Sequence, residues 1–536
     1  MPVESGDGPV TSGFGPDLRG GLMVCGTTSD AGKTQVVTGL CRLLARNGIR
    51  VAPFKAQNMA NNSYVTDSGH EIGRAQAVQA MAAGIRPEVA MNPILLKPTG
   101  ERTSQVVVMG RPAGHLTAAE YHEYKPQLLD RVLEALADLR RRFDVVLVEG
   151  AGSPAEINLL DHDIVNLRIA HEADLHALVV GDIDRGGVFA ALHGTVDLLP
   201  PHYRRLVGGF VINKLRGDPD LLLDGTDQLA ARCGVPTIGV LPWIPDIALD
   251  AEDSLALDGH RPRPAGDTAE GSDEIDVAVV RFPRLSNFTD LDALSIEPGV
   301  SVRYIASATA LGQPDLLVLP GTKTTVADLA WLRACGLARA VTVAAAEPAG
   351  PIVIGICGGY QMLGRVLHDP HGVEAACPDV SVDGLGLLDV VTTFDPVKIT
   401  RQRRGNALGQ PLTGYQIHHG RVARGPTAEP WISLDPIIEP PGAAAEGARP
   451  AEGAVAEGSR VMGTTLHGLF EADGFRAAFL VEVAQRRGKA FVPAGVGFEA
   501  ARGAQFDRVA DALETHVDLA HLARLIATAP PPKEPA

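Results

Sequence analysis

The sequence predicts an α/β fold with two doubly wound, mostly parallel-sheet domains. Short β-branched runs alternate with helical patterns on both sides of a low-complexity stretch near residue 260. These runs are apolar throughout rather than alternating, which is typical of strands covered on both faces. The order strand, helix, strand favours parallel pairing and places ligand sites at the carboxyl ends of the strands.

Seven apolar runs in the first half are predicted as strands, with helical patterns at 33–48 and 126–142. The strands lie at 21–25, 49–54, 105–109, 144–149, 176–182, 208–213 and 237–241. The second half repeats the pattern, with runs at 275–282, 300–306, 315–320 and 351–357. We therefore expect two α/β domains.

Four low-complexity stretches divide the chain. Rich in Gly, Pro, Ala and Glu, they bury little apolar surface and are expected to be disordered. They are a leader at 1–19, a linker at 259–274, a loop near 438–459 and a tail at 527–536. The remaining sequence predicts a first domain at 20–258 and a second domain at 275–526.

The overall composition excludes several classes of protein. Of the 536 residues, 45% are hydrophobic and 21% are charged, as in a globular protein, and the net charge of −16 disfavours nonspecific binding to nucleic acid or anionic membranes. The six cysteines form no CxxC pair, which indicates free thiols rather than a disulfide scaffold or zinc ribbon. We expect a cytoplasmic protein with no membrane span; its oligomeric state stays open.

The first strand runs into a glycine-rich loop, GTTSDAGKT at 26–34, followed by a helical pattern. This order predicts a phosphate-binding loop, because glycines let backbone N–H groups face phosphate oxygens. Gly26, Thr27 and Gly32 would form the cradle. Lys33 would reach the β- and γ-phosphates, and the Thr34 hydroxyl would bind Mg²⁺. The alternative, a surface glycine turn, is disfavoured by the flanking strand and helix.

Acidic residues end two further strands. Glu149 ends the run at 144–149, where an NTPase holds Mg²⁺, although an acid there could also cap the next element. Asp182 and Asp184 follow the run at 176–182 and could equally be turn formers.

The loop at 26–34 together with Glu149-Gly-Ala-Gly resembles the dethiobiotin synthetase-type family of P-loop enzymes. The resemblance implies ATP-dependent activation of a carboxylate and a role for Asn213 in adenine recognition. Partition-type ATPases share this fold but carry an additional lysine near the start of the loop, where this chain has Thr27 and Thr28. That difference disfavours a nucleotide switch.

The second domain contains a cysteine between an apolar strand and a helix, in the run PIVIGICGGYQ at 351–361. Glycines permit a tight elbow there, and a helix N-terminus favours the thiolate form, so we expect Cys357 to be a nucleophile. The other five cysteines are expected to be core residues. His467 is the best candidate for a base, although a lone histidine is more often structural.

The run at 351–361 resembles the class I glutamine amidotransferases, which hydrolyse glutamine through a thioester and release ammonia. The resemblance implies that the amides of Gly321 and Gly358 hold the oxyanion and that Gln361 contacts glutamine. Members of that family usually carry His-x-Glu, but Leu469 occupies the third position here.

The next acid after His467 is Glu471. On a strand, their spacing would separate the two residues by more than about 12 Å, whereas on a helix they would be neighbours. The glycines and threonines of 463–470 favour a strand end or loop. We therefore expect a Cys–His dyad in which a backbone carbonyl or a water, not Glu471, orients His467.

Longer stretches resemble the cobyric acid synthase family: PFKAQNMANNS at 53–63, NPILLKP at 92–98, EINL at 156–159, GDIDRGGVF at 181–189 and NKLRGD at 213–218. GYQIH at 414–418 matches with Gln416 in place of the usual Glu. The resemblance covers about residues 20–525. It implies amidation of the b, d, e and g carboxylates of adenosylcobyrinic acid a,c-diamide in adenosylcobalamin biosynthesis. ATP with Mg²⁺ and glutamine would be required, and no tightly bound organic cofactor is expected.

A set of polar residues could line the corrin or acyl-phosphate site, or could simply form turns. The set is Lys55, Gln57, Asn58, Asn61, Asn62, Lys97, Asp182 and Asp184. Two alternative functions stay open: a cobyrinic acid a,c-diamide synthase or related ligase, and a nucleotide-switch module with an inactive glutaminase-like domain.

Overall fold

The computed structural model describes residues 14–100, 102–247, 272–375, 377–436, 450–456, 458 and 460–528. Most of the predicted linker and tail, and much of the predicted leader and loop, lie outside these residues. The fold class is confirmed: each half is built on a parallel-rich sheet with helices on both faces.

The strands of the first domain are β1 (Gly20–Gly26), β2 (Val51–Phe54), β3 (Gln57–Met59), β4 (Ser63–Val65), β5 (Glu71–Gly73), β6 (Ile94–Pro98), β7 (Thr103–Val108), β8 (Arg111–Thr117), β9 (Val145–Glu149), β10 (His176–Asp182), β11 (Val207–Leu215) and β12 (Thr237–Pro242). Its helices are α1 (Lys33–Arg46), α2 (Arg74–Ala82), α3 (Ala118–Arg142), α4 (Leu167–Glu172), α5 (Val188–Asp197), α6 (Pro201–Arg204) and α7 (Leu223–Cys233).

The central sheet of this domain has the order β12-β11-β10-β1-β9-β2, and all of its strands are parallel. The strand predicted at 105–109 is part of β7 instead, in a separate sheet of order β3-β6-β7-β8. β7 pairs with antiparallel neighbours on both sides, so it does not extend the parallel layer. The carboxyl ends of β1 and β9 lie side by side, which places the glycine-rich loop next to Glu149.

The strands of the second domain are β13 (Ile275–Val280), β14 (Val300–Ile305), β15 (Leu316–Leu319), β16 (Ile352–Ile356), β17 (Val366–Asp369), β18 (Val380–Asp383), β19 (Val390–Ala407), β20 (Gln410–Arg424), β21 (Ala428–Glu429), β22 (Ile432–Leu434), β23 (Ala451–Glu452), β24 (Ala454–Ala456), β25 (Val461–Thr464) and β26 (Leu466–His467). The later helices are α8 (Asp292–Ser295), α9 (Thr325–Ala334), α10 (Leu337–Ala346), α11 (Gly358–Leu363), α12 (Asp473–Arg486), α13 (Phe498–His516) and α14 (Leu519–Ala527).

The main sheet of the second domain has the order β14-β13-β15-β16-β25-β24-β21, parallel from β14 to β25. A second sheet contains the long antiparallel pair β19 and β20, with β26 beside β20. Part of the predicted loop at 438–459 is ordered as β23 and β24, because the buried Glu452 carboxylate accepts hydrogen bonds from Thr464 and Thr465.

The last two helices return to the first domain, which differs from the predicted boundary at 526. Apolar side chains of α13 and α14, including Phe506, Leu513 and Leu525, share a buried cluster with α1 and β1. Arg42 on α1 binds Asp507 on α13 at 2.8 Å. The end of the predicted leader packs into the same cluster through Phe14 and Leu18. Burial of these apolar faces assigns residues from Phe506 onward to the first domain, while Phe498 at the start of α13 packs in the core of the second domain.

The two domains meet along β4 and β5. The Ser63 backbone donates its N–H to Asn287 at 3.0 Å and accepts a hydrogen bond from the Tyr415 hydroxyl at 3.1 Å. Arg74, at the start of α2, binds Glu471 of the second domain at 2.8 Å. No single helix in the described ranges is long and apolar enough to cross a membrane, while the bent pair α9 and α10 meets that criterion by length and composition only.

Candidate active sites

The glycine-rich loop wraps around its own lysine. The Lys33 ammonium donates to the carbonyl oxygens of Thr28 at 2.8 Å, Ser29 at 3.2 Å and Gly152 at 3.1 Å. Gly32 has a φ of +99°, and a Cβ there would lie 2.1 Å from the Asn213 side chain, so only glycine fits. These contacts hold the lysine at the N-terminus of α1, where phosphate oxygens would bind.

Glu149 is fully buried at the end of β9, and several groups compete for its carboxylate. It accepts hydrogen bonds from Thr34 at 2.9 Å and Gln79 at 2.5 Å, and it forms an ion pair with Lys55 at 2.9 Å. Burial alone would raise the pKa of Glu149, but the Lys55 ammonium and the Gln79 amide hold that pKa below its usual value. The Thr34 hydroxyl and the Glu149 carboxylate are hard oxygen ligands in contact, which suits Mg²⁺ that takes its other ligands from phosphates and water.

A cleft opens beside this loop. It is lined by Lys33, Lys55, Gln57 and Asn58, together with Ser29, Gly152 and residues up to Asn166. Met59 and Leu159, also in its wall, are 55% and 44% exposed. The cleft therefore combines an ammonium and amide lining with open apolar surface.

Asp182, Asp184 and Asn213 lie on the other side of the glycine-rich loop, away from the lining of this cleft. Asp182 binds Lys214 at 2.8 Å, and Asp184 binds Arg216 at 2.7 Å. The Asn213 side-chain amide donates to the Ala31 carbonyl at 3.1 Å and thereby stabilises the glycine-rich loop.

The predicted grouping of Lys97 with Lys55 is corrected by the structure. Lys97 lies on β6 and points to the domain interface, where its ammonium binds Ser63 at 2.7 Å and Glu71 at 2.6 Å. It lines the same pocket as Cys357, in the second domain. The cause is the separate sheet that carries β6, which extends away from the phosphate loop.

Cys357 occupies a strained elbow between β16 and α11. Its φ of +50° and ψ of −107° are unusual for a residue with a side chain, and the buried thiol lines a pocket at the turn. A Cβ at Gly359 would lie 1.9 Å from the Leu319 carbonyl oxygen, so the elbow requires glycine there. Within the described residues, the N–H groups of Gly321 and Gly358 have no hydrogen-bond acceptor, as predicted oxyanion donors require.

His467, at the end of β26, lines the same pocket as the Cys357 thiol and contacts the Asp290 carboxylate. The Asp290 oxygen lies 2.7 Å from His467 Nδ1, and a second Asp290 oxygen accepts the Gly468 N–H at 2.8 Å. Burial lowers the pKa of His467, but Asp290 and Cys357 outweigh it and raise this pKa to about 10. The imidazolium form is thus stabilised beside the thiol.

The predicted dyad is therefore corrected to a triad: a carboxylate, rather than a backbone carbonyl or water, orients His467. The exclusion of Glu471 agrees with the structure, because Glu471 instead binds Arg74 at 2.8 Å and Arg502 at 3.4 Å. Asp290 belongs to a single 3-10 turn, Phe288–Leu291, that precedes His467 by 177 residues. No local spacing in the sequence could have indicated this pair.

Gln361 lies in the same pocket as Cys357, and the Thr325 hydroxyl donates to its side-chain oxygen at 3.3 Å. Gln416, which replaces an expected acid, is held by Arg401 at 2.8 Å and donates to Thr465 at 2.7 Å. Its position on β20 supports β26 and thereby the base.

Two family models match the chain: the CobQ/CobB/MinD/ParA nucleotide binding domain over residues 22–256 and the CobB/CobQ-like glutamine amidotransferase domain over 276–475. Curated cobyric acid synthases from Nocardia farcinica, Mycolicibacterium gilvum and Rhodococcus jostii are 50%, 50% and 51% identical to this chain. The alignments cover 96%, 95% and 97% of this chain and 98%, 97% and 98% of the relatives.

The chain belongs to the cobyric acid synthase family. It is a glutamine-dependent amidating ligase, and its two domains provide a nucleotide site and a glutamine site. Sequence reasoning missed the residues that reach these two sites from segments distant in sequence from the motifs. They are Gln79, Asp290, Lys323, Glu374 and Lys398.

Proposed function

We propose that this chain amidates the b, d, e and g carboxylates of adenosylcobyrinic acid a,c-diamide in adenosylcobalamin biosynthesis, using ATP and glutamine. The observation that carries the proposal is that one chain contains both the Cys357–His467–Asp290 site and a phosphate loop whose Thr34 contacts the Glu149 carboxylate. The corrin substrate is supported by the name of the relatives, which align over nearly their whole length.

In the second domain, the Cys357 thiolate attacks the side-chain amide carbon of glutamine. The N–H groups of Gly321 and Gly358 stabilise the oxyanion, and the His467 imidazolium protonates the leaving ammonia. Asp290 stabilises the positive charge on His467 before this transfer and fixes the ring for the next step. A water then hydrolyses the thioester, with His467 as base, and releases glutamate.

In the first domain, a substrate carboxylate attacks the γ-phosphate of ATP to give an acyl phosphate and ADP. Ammonia then displaces phosphate and leaves the amide. Lys33 neutralises charge on the transferred phosphoryl group. Mg²⁺, held by Thr34 and Glu149, would supply charge stabilisation at the phosphates.

The cleft beside the phosphate loop has the chemistry for such a substrate. A corrin presents a broad apolar ring with acetamide, acetate and propionate arms at its rim. Met59 and Leu159 offer apolar surface to the ring, while Lys55, Gln57 and Asn58 offer ionic and amide groups to the arms. The same cleft contains Lys33, so a bound arm would lie beside the phosphate site.

The test is mass spectrometry of the corrin product after incubation of the full chain with ATP, Mg²⁺ and glutamine. The expected product from the a,c-diamide carries four replacements of hydroxyl by amino groups, and omission of ATP abolishes all four. Cobyrinic acid serves as the parallel substrate. Amidation of cobyrinic acid at a and c, with no reaction on the a,c-diamide, would assign the chain to the alternative synthase activity.

A further inference from the structure

The pocket that contains Cys357 is rich in charge beyond its triad. Lys97, Lys323, Lys398 and Glu374 all line it. Two of the lysines are already neutralised in part, because Lys97 and Lys398 bind the two oxygens of Glu71 at 2.6 and 2.5 Å. Both carboxylate oxygens of Glu71 are thereby occupied. Lys97, Lys398 and Glu71 form a cluster at the side of the pocket that faces the first domain.

Lys323 and Glu374 differ from that group because they are not paired. Among the described residues, the Lys323 ammonium makes neither an ion pair nor a hydrogen bond. One Glu374 oxygen accepts the Thr325 N–H at 2.7 Å, and the other has no partner in the part of the chain that the structure describes.

The two charges nevertheless act on each other. Burial lowers the pKa of Lys323, and Glu374 opposes that change. Burial likewise raises the pKa of Glu374 to about 7, against the effect of Lys323. A cation and an anion that lie near each other without contact, in a pocket that penalises both charges, are matched to a ligand that bridges them.

Glu374 is held in place by its own loop. Asp369, at the end of β17, accepts the backbone N–H groups of Val373, Glu374 and Ala375 at 2.8, 2.7 and 2.7 Å. The carboxylate is thus presented to the pocket before a ligand binds, which reduces the entropy lost on binding.

A third polar group in this pocket, the imidazole of His418, also lacks a partner in the described part of the chain for one of its atoms. The Nδ1 atom of His418 lies 2.7 Å from the Gly420 carbonyl oxygen, so it carries the proton, and burial lowers the pKa of His418 to about 3. The neutral ring leaves Nε2 as an acceptor, and this buried atom has no partner within the described residues. The pocket thus offers one open cation and two open acceptors.

We propose that Lys323 binds the α-carboxylate of glutamine and Glu374 binds its α-ammonium, so that these two side chains select a free amino acid. The assignment rests on the proposed glutamine hydrolysis and adds the recognition of its head group. A zwitterion supplies the anion that Lys323 lacks and N–H donors for the unpartnered acceptors. Glu71 cannot take the ammonium, because both of its oxygens are bound by lysines.

The experiment crosses two variants with two truncated substrates, using the full chain and measuring ammonia release. Glutaramic acid is glutamine without the α-amino group, and γ-aminobutyramide is glutamine without the α-carboxylate. Glu374→Gln should lower kcat/KM for glutamine by about 10–100-fold, as expected for one hydrogen bond to a charged group, and change that for glutaramic acid by less than about threefold. Lys323→Met should likewise lower kcat/KM for glutamine by about 10–100-fold and change kcat/KM for γ-aminobutyramide, which lacks the α-carboxylate, by less than about threefold.

Glu347→Gln, an exposed change in the same domain, is the matched control and should leave both substrates unaffected. Equal losses on glutamine and on the truncated substrate would overturn the assignment, since they would indicate a structural role. An unchanged kcat/KM for glutamine in either variant would also overturn it. Ammonia-dependent amidation of the corrin should be retained in both variants; its failure in the unmodified chain would refute the proposed function but not the head-group assignment.

Discussion

The two sites of this chain are prepared for reaction in opposite ways. In the glutaminase pocket, the thiol and the base line one cavity, the acid already contacts the base, and within the described residues the oxyanion donors have no acceptor. In the phosphate site, the reactive groups bind each other: Lys33 is held by three loop carbonyls, and Glu149 is shared by Thr34, Lys55 and Gln79. The first site needs only its substrate, whereas the second must exchange internal contacts for those of nucleotide and metal.

Preorganisation is distributed unequally between the two sites of this enzyme. A site that makes a covalent intermediate gains from fixed donors, because their alignment costs nothing during the reaction. A site for a highly charged ligand must keep its own charges paired until that ligand arrives, because unpaired buried charges are costly. Variants that remove one group from each site test this comparison.

The largest effect is expected for Cys357→Ala. Removal of a catalytic nucleophile lowers turnover by about 10⁶-fold in hydrolases of this kind, so glutamine-dependent amidation should be abolished. Ammonia-dependent amidation should persist, because the thiolate serves only to release ammonia. Both activities are measured at saturating ATP, with Cys335→Ala as the control. Equal loss of both would mean that Cys357 has a structural role.

Asp290→Asn should lower glutaminase turnover by about 10⁴-fold, the effect of an uncharged orienting residue in a comparable triad. Asp290 raises the pKa of His467, so its neutral replacement lets burial dominate and lowers that pKa from about 10. The alkaline limb of the residual pH profile should therefore move to lower pH.

Asp383→Asn, at an exposed position of the same domain, is the matched control for this change. A profile that keeps its alkaline limb in the Asp290 variant would show that another group sets the protonation of His467.

Lys33→Ala should reduce amidation by about 10²–10³-fold with either nitrogen source, because a donor to the transferred phosphoryl group is lost. Glutamate release measured without ATP should be retained, since the glutaminase triad is assembled independently of the nucleotide. Ammonia-dependent synthesis near the unmodified rate would refute the phosphate-loop assignment and remove the contrast between the two sites.

The smallest catalytic effect is expected for Glu471→Gln. Glutaminase turnover should change by less than about tenfold, or under 1.4 kcal/mol of barrier, because Asp290 and not Glu471 contacts the base. The free energy of unfolding should fall by about 1–3 kcal/mol, since the buried Arg74 loses a charged partner. Denaturant titration and a glutaminase assay measure the two quantities. A loss of turnover like that of His467→Ala would contradict the triad described here.

The sequence predicted the parts of each site that lie in one continuous motif. The loop at 26–34 and the elbow at 351–361 each encode a strand, a turn and a helix locally, and β1 with α1 and β16 with α11 follow in that order. The fold class is confirmed for the same reason, because apolar runs and helical patterns are local signals. The individual roles of these residues stay predictions until the variants are tested.

Contacts between distant segments were beyond that reasoning. No sequence motif links Asp290 to His467, which it contacts in the structure. Lys97 was grouped with Lys55 because both lie in polar motifs of the first domain, yet Lys97 lines the pocket of Cys357. Their positions depend on how the sheets meet, and a single sequence carries no direct signal for such contacts. The same holds for α13, whose apolar residues do not specify which domain they cover.

The return of α13 and α14 to the first domain has a consequence for biosynthesis of the polypeptide. The segment synthesised first contains α1, whose apolar face is covered by residues such as Leu513, near the carboxyl end. During translation, this face must wait for nearly the whole chain to emerge, so the first domain completes its core last. The glutaminase domain, inserted between the two parts, can fold while that face is still open.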